Sequence, residues 1–135
     1  MTQKQNIKII IYVVLLITAV SLLVWWFIYN SIRIKDYQRL GDMRILESEM
    51  NIYFLKFNTY KIPECSEGML INFCTGRSGQ SPNVSTLIDP VNTDSLRYVL
   101  TQMTDDNFRV EFYLESGLLG LTSGKYALTN EGLDR

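Results

Sequence analysis

Residues 9–29 (IIIYVVLLITAVSLLVWWFIY) run for 21 positions without a charge, a proline or a glycine. At a rise of about 1.5 Å per residue, a helix of that length covers about 31 Å, the depth of a bilayer's hydrocarbon core. Backbone in that layer has no water to bond to, so it has to satisfy its own N–H and C=O groups, as a helix does. The polar atoms in the run are few. Thr18 and Ser21 can return their hydroxyls to the preceding turn. Trp25, Trp26 and Tyr29 crowd one end, and Ile9 and Tyr12 open the other, as anchors at the two water interfaces do. A cleaved signal peptide leaves through small residues, whereas the exit here is WWFIYNSIR. A helix buried in a water-soluble domain keeps a polar face, and this one has none. The segment is therefore read as a single membrane-spanning helix, with a tail at 1–8 and a head at 30–135.

The rest of the chain is charged. All 14 acidic residues and 11 of the 13 basic ones follow the run, which gives the head a net charge of −3. A head of that size makes one small domain. The chain has no histidine, which removes the commonest general base and metal ligand. Two cysteines without histidine cannot close a zinc site. A mildly acidic head without a basic stripe argues against nucleic acid as a partner. No cofactor, small-molecule substrate or catalytic activity is expected, and lipid is the first expected partner.

Orientation has two opposing indicators. Lys4 and Lys8 precede the span, while Arg33, Lys35, Arg39 and Arg44 follow it, so a count of basic residues places the head inside. The very short leading tail and the acidic, cysteine-bearing head favour the reverse. The reading adopted is a cytoplasmic N-terminus in the cytoplasmic membrane with the head exported, a placement the charge count does not give.

After the span the pattern becomes two-sided. Apolar residues fall at Ile34, Tyr37, Leu40, Met43, Leu46, Met50, Tyr53, Phe54 and Phe57, in steps of mostly three and four. Arg39, Asp42, Glu49 and Lys56 are assigned to the opposite, solvated face. No proline occurs before Pro63, so the span and a stem at 30–58 can form one helix, ended by Asn58, Thr59 and Pro63. Leu40, Met43, Leu46, Met50, Tyr53, Phe54 and Phe57 are the expected packing face. Residues 59–95 hold all three prolines and both cysteines and read as irregular, with a short helix at 85–88. The period then shifts to two. Strands are expected at 96–104, 108–114 and 125–129, the first two joined as a hairpin over Asp105, Asp106 and Asn107. The fold class is α+β: a long N-terminal helix packed over an antiparallel sheet of about three strands, the last residues forming a polar tail.

The segment KDYQRLGDMRILESEMNIYFLKFNTYKIP (35–63) resembles the stem of type IV pilins and type II secretion pseudopilins. The matching residues are Arg39, Asp42, Leu46, Tyr53, Phe54, Tyr60 and Pro63. LIDPVNTDSLRYVL (87–100) is similar to the aspartate-proline loop that leads into the pseudopilin sheet. The resemblance covers 35–115 and implies the fold just described, with self or other pilin-like subunits as partners. One departure stands out. Prepilins carry a cleavage-site glycine and, five residues into the mature helix, a glutamate, and MTQKQNIKIIIYVVLLITAV has neither. Processing by the prepilin peptidase is therefore not expected of this chain.

Several side chains invite chemical readings. Cys65 and Cys74 flank a short loop and, in an exported head, form a disulfide; the other reading is two free thiols. Asp89, Asn92 and Asp94 share a loop that in several pseudopilins binds calcium. Here they lack the EF-hand spacing, and ordinary turn capping is the competing account. Glu47 and Glu49 point to different helix faces, so they do not form a carboxylate pair. Ser78-Gly79-Gln80-Ser81 lacks the setting of a nucleophile elbow. Asn83-Val84-Ser85 matches a glycosylation acceptor, relevant only in a eukaryotic secretory host. The functional expectation is a non-enzymatic structural subunit of a filament, secretion or surface assembly. It would pack through its helix, where Thr18, Ala19 and Ser21 are the small residues that permit close approach. The alternative is a tethered binding module that does not polymerise, its surface at 65–94.

Overall fold

The computed structural model describes residues 3–76 and 81–135, with side chains from residue 7 onward. One helix, α1 (Gln3–Phe57), runs unbroken for 55 residues, about 82 Å at helical rise. It takes in residues 3–8, so the segment before the apolar run continues the same rod. From 7 to 29 every side chain is exposed, and this stretch is long and apolar enough to cross a membrane. The Thr18 hydroxyl donates to the Val14 carbonyl at 2.7 Å and the Ser21 hydroxyl to the Ile17 carbonyl at 2.8 Å. Neither hydroxyl therefore enters lipid unsatisfied. At the far end Asn58 adopts φ +54°, and its N–H donates to the Phe54 carbonyl at 2.7 Å, a left-handed cap that stops the helix.

The sheet is an antiparallel meander of four strands in chain order: β1 (Val99–Met103), β2 (Phe108–Leu114), β3 (Gly124–Thr129) and β4 (Gly132–Asp134). β2 alternates strictly, with Phe108, Val110, Phe112 and Leu114 buried. That period-2 face meets the α1 stripe of Leu40, Met43, Leu46, Met50 and Tyr53, and the two bury each other. Aromatic contacts close one end: Phe54 stacks on Tyr60 with centroids 4.5 Å apart, and Tyr60 tilts against Phe108 at 5.1 Å. The connection from α1 to β1 adds Ile62, Ile71, Val84 and Leu87 to the core, so it is irregular in backbone but not peripheral. It also shields the outer edge of β1. Gly68 N–H donates to the Leu100 carbonyl at 2.7 Å and Leu100 N–H to the Met69 carbonyl at 2.8 Å. Between β2 and β3 the chain closes tightly at Gly117 (φ +76°), where a Cβ would lie 2.6 Å from the Leu121 carbonyl oxygen.

The α+β architecture agrees with the sequence reading, and five details differ. A fourth strand forms from residues read as a polar tail. It is three residues long and mostly exposed, so it carries no alternation to read. β1 begins at Val99, not 96, because Leu96 is taken up in a turn closed by its N–H to the Thr93 carbonyl. No helix forms at 85–88; the short helical turn is a 3-10 segment at Ile71–Phe73. Phe57 is 43% exposed: as the last residue of α1 it leans on Tyr53, 4.7 Å between rings, and leaves the helix–sheet interface. Arg39, assigned to the solvated face, is fully buried. The buried face runs 36, 39, 40, 43, 46, 50, 53, and Ile34 and Tyr37 fall outside it, exposed.

Candidate functional site

Two regions carry the features that could serve a function: the exposed apolar half of α1, and a charged node where the stem enters the head. In the first, Ile9, Tyr12, Trp25, Trp26 and Tyr29 all point outward. Trp25 stacks on Tyr29, ring centroids 6.1 Å apart, and the Arg33 guanidinium lies 5.8 Å from the Tyr29 centroid. One helical face thus passes from aromatic to cationic over two turns, the sequence met at a lipid–water boundary.

The node is built on Arg39. Its Nε donates to Asp89 Oδ2 at 2.7 Å and its Nη2 to Asp89 Oδ1 at 3.1 Å, a two-pronged grip. Its Nη1 donates to Asp36 Oδ1 at 2.8 Å and to Glu115 Oε2 at 2.7 Å. Three carboxylates around one guanidinium would repel each other if left bare. Asp36 is not bare: it accepts the Glu115 N–H at 3.0 Å, the Ser116 N–H at 2.8 Å and the Ser116 hydroxyl at 2.7 Å. Asp89 Oδ1 also accepts the N–H groups of Val91 at 2.8 Å and Asn92 at 3.2 Å, which closes the turn after Pro90. Burial works against the Asp36 charge, but the Ser116 and Glu115 donors and Arg39 outweigh it and hold the carboxyl below the usual carboxylate range. Burial also works against the Arg39 charge, and Asp89, Glu115 and Asp36 outweigh it, so the guanidinium's protonation is reinforced. The node ties together α1, the 89–92 turn and the start of the β2–β3 loop.

One turn further along α1, the Tyr98 hydroxyl donates to Asp42 Oδ2 at 2.8 Å. Burial pushes the Asp42 carboxyl up, against the pull of that hydrogen bond, and the nearby Asp89 charge adds to the rise. Burial, the bond to Asp42 and the charges of Asp42 and Asp89 push the Tyr98 hydroxyl far above the ordinary phenol range, against the pull of Arg39. Glu49 Oε2 accepts the Ser81 hydroxyl and the Asn83 N–H, both at 2.9 Å, and pins the end of the cysteine-bearing loop to the helix.

The sequence-predicted residues separate clearly. Cys65 and Cys74 are disulfide-bonded, Cα atoms 5.3 Å apart, with Cys74 in the core. Asp89, Asn92 and Asp94 do not form one cluster. Asp89 turns inward to Arg39, Asp94 lines a separate surface hollow beside Arg97, and no group of three Cys, Asp or Glu side chains suited to a metal forms among the described residues. Asp42, assigned to the solvated face, is partly buried and accepts the Tyr98 hydroxyl. Asn83 and Ser85 bond to each other at 3.2 Å within a turn. Residues 78–80, weighed as part of a nucleophile elbow, lie outside the described residues. A shallow cavity of about 350 Å³ opens near the C-terminal end of α1, lined by Tyr53, Phe57, Ile62, Pro63, Thr75 and Ser81 among others. The sequence reading missed Asp36, Glu115 and Ser116 altogether and misplaced Arg39. A usable signal was present: 36 and 39 share the three-and-four spacing of the core stripe with 40, 43 and 46. No family model matches this chain, no curated protein matches it, and no solved structure matches it.

Proposed function

We propose that the chain is a non-enzymatic, membrane-anchored structural subunit with a pilin-like or pseudopilin-like architecture, acting in a filament, secretion or surface assembly through packing of its helix. The observation that carries this reading is the unbroken α1, exposed from 7 to 29, uncharged from 9 to 29, and then seated on an antiparallel sheet from Asp36 to Tyr53. Such a rod couples a lipid-embedded half rigidly to a folded head, as a subunit that assembles in or through a membrane requires. The disulfide supports export of the head, since such bonds persist in oxidising compartments. The N-terminus is then cytoplasmic and the cytoplasmic membrane is crossed once. Two measurements on the full chain test this. Protease added to intact cells should digest the head; a head protected until the membrane is opened overturns the orientation. In detergent, sedimentation should show oligomers; a strictly monomeric full chain overturns the assembly role.

A second reading is favoured by one specific feature, the cavity of about 350 Å³ beside the disulfide loop. In that reading the head is a tethered binding module and the span only holds it in place. Recovery of a specific partner on the full chain, lost when Phe57 or Tyr53 is changed, would support it over the first.

A further inference from the structure

Between β2 and β3, residues 116–124 (SGLLGLTSG) hold no charge. The loop is fixed in place. Ser116 donates its N–H and its hydroxyl to Asp36, and the Leu121 N–H closes a turn on the Leu118 carbonyl at 3.0 Å. Leu118 fills the core, but Leu119 stands 68% exposed, and its φ of +55° is left-handed. Asparagine or glycine takes that conformation with less strain and loses nothing by facing water. Neither the turn nor the core therefore accounts for a leucine at 119. Leu119 and Leu121 border a hollow of about 410 Å³ with Leu40 and the half-exposed Leu133, so the exposed apolar surface extends beyond one side chain.

Height along α1 says what lies near this surface. The loop is bonded to Asp36 and borders Leu40, seven and eleven residues beyond Tyr29, about 10–16 Å along the axis. Cover on the stem begins at Asn30, directly after the apolar run. Arg33 and Lys35 occupy the interval, and among the described residues neither forms an ion pair. The layer next to the span is thus cationic, and the loop just above it is apolar.

We infer that this loop is a second membrane contact: the rod leans toward it, Leu119 enters the headgroup layer of the bilayer that α1 crosses, and Arg33 and Lys35 hold anionic lipid phosphates. The inference rests on the membrane-anchored reading above and goes beyond it, since it gives the head a fixed posture on the surface. Spanning helices tilt by up to about 40°. Packed layers lie about 10 Å apart, so a lean of about 30° lowers the sheet side of the head by about 5 Å. That closes the gap to headgroups, which extend about 5–8 Å beyond the hydrocarbon. An apolar side chain set into the interface beside unpaired basic residues combines the two attractions that hold protein surfaces on anionic lipid.

The test uses the full chain in vesicles of phosphatidylcholine and phosphatidylglycerol. The native disulfide leaves no free thiol, so Leu119→Cys and Leu55→Cys each accept one environment-sensitive fluorophore. Leu55 is the control, more exposed than Leu119 but about 39 Å beyond Tyr29. Spin-labelled headgroups should quench the probe on Leu119→Cys about threefold more than the probe on Leu55→Cys. Arg33→Gln with Lys35→Gln, or vesicles of phosphatidylcholine alone, should cut that difference by about half. Equal quenching of the two probes would overturn the contact, and a difference that survives both changes would overturn the phosphate grip. Trp25 and Trp26 report the anchor separately, through spin labels on the acyl chains. If they are quenched while the probe on Leu119→Cys is not, the loop contact falls and the span stands. If they are not quenched, the anchor itself falls.

Discussion

Arg39 and Asp89 lie 50 positions apart in the chain and meet through two hydrogen bonds, Nε to Oδ2 at 2.7 Å and Nη2 to Oδ1 at 3.1 Å. Their pairing, with Asp36 and Glu115 on the remaining nitrogen, decides what removal of the guanidinium does. Arg39→Met leaves buried Asp36 and Asp89 facing each other without a counter-charge. The expected loss is about 3–5 kcal/mol, the usual cost of breaking a buried pair from one side. Arg39→Lys keeps the charge but not the fork, so it should recover only part of that loss. Denaturant unfolding of the full chain in mild detergent, followed by near-UV circular dichroism, measures both. A loss below about 1 kcal/mol for Arg39→Met would show that the node does not hold the head together.

Acid should act on the same node. The Asp36 carboxyl is lowered from its unfolded value of 3.8. Its contribution is therefore fully present above pH 3.8 and is lost as pH falls through the lower folded value. Asp42 has the opposite sign: its folded value is raised above 3.8, so its protonation on acidification favours the folded form. Stability measured against pH should fall below pH 3.8 in the wild type. Asp36→Asn should flatten that acid limb, and its neutral-pH stability should already be reduced. An unchanged acid limb in Asp36→Asn would assign the acid sensitivity to other groups.

Asp42→Asn separates the two carboxylates. The amide oxygen can still accept the Tyr98 hydroxyl, and the repulsion from Asp89 is removed. At neutral pH the variant should lie within about 1 kcal/mol of the wild type, a much smaller change than for Asp36→Asn. Parallel unfolding curves for the two variants make the comparison. Equal losses would mean that the charge on Asp42, not only its hydrogen bond, is needed.

The disulfide closes a loop of about ten residues, for which the chain-entropy relation gives about 2–3 kcal/mol. Because Cys74 is fully buried, Cys74→Ser also places a hydroxyl in the core, and it should cost more than Cys65→Ser. Unfolding of both single variants and of the reduced wild type orders the three. If reduction costs nothing, the loop is held by buried Ile71 and by the bonds of the Gly68 and Ile71 N–H groups to the Leu100 and Tyr98 carbonyls without help from the bridge.

Gly41→Ala should stabilise the helix by up to about 1 kcal/mol, since the added methyl meets nothing within 4 Å. A raised thermal midpoint is the expected reading. A lowered one would place an unseen neighbour against that face.

The long helix and β2 were legible because each follows a single period over many residues: 3.6 in the stem, 2 in FRVEFYL. The run from 9 to 29 was legible for a simpler reason, the absence of any charge. What escaped depends on partners distant in the chain. Arg39 resembled any solvated helix arginine because two of the three carboxylates that enclose it lie 50 and 76 positions later. Gly132–Asp134 has three residues, too few to show a period, and forms a strand only because β3 offers it an edge. The turn chemistry of Asp89 is legible, and its Oδ1 does accept the Val91 and Asn92 N–H groups, but nothing in the loop's composition points to the α1 arginine that the same carboxylate also holds. Phe57 shows the limit of periodicity itself, which places a residue on a face but does not say how far the surface opposite extends.

The first buried side chain of the stem, Asp36, lies seven residues beyond Tyr29, about 10 Å along the axis. Any pull carried up the rod from the bilayer therefore loads the carboxylate–guanidinium lock before it reaches the greasy contacts behind it. The head is fastened at its base like a tool at its ferrule, and mechanical failure would begin there rather than in the sheet.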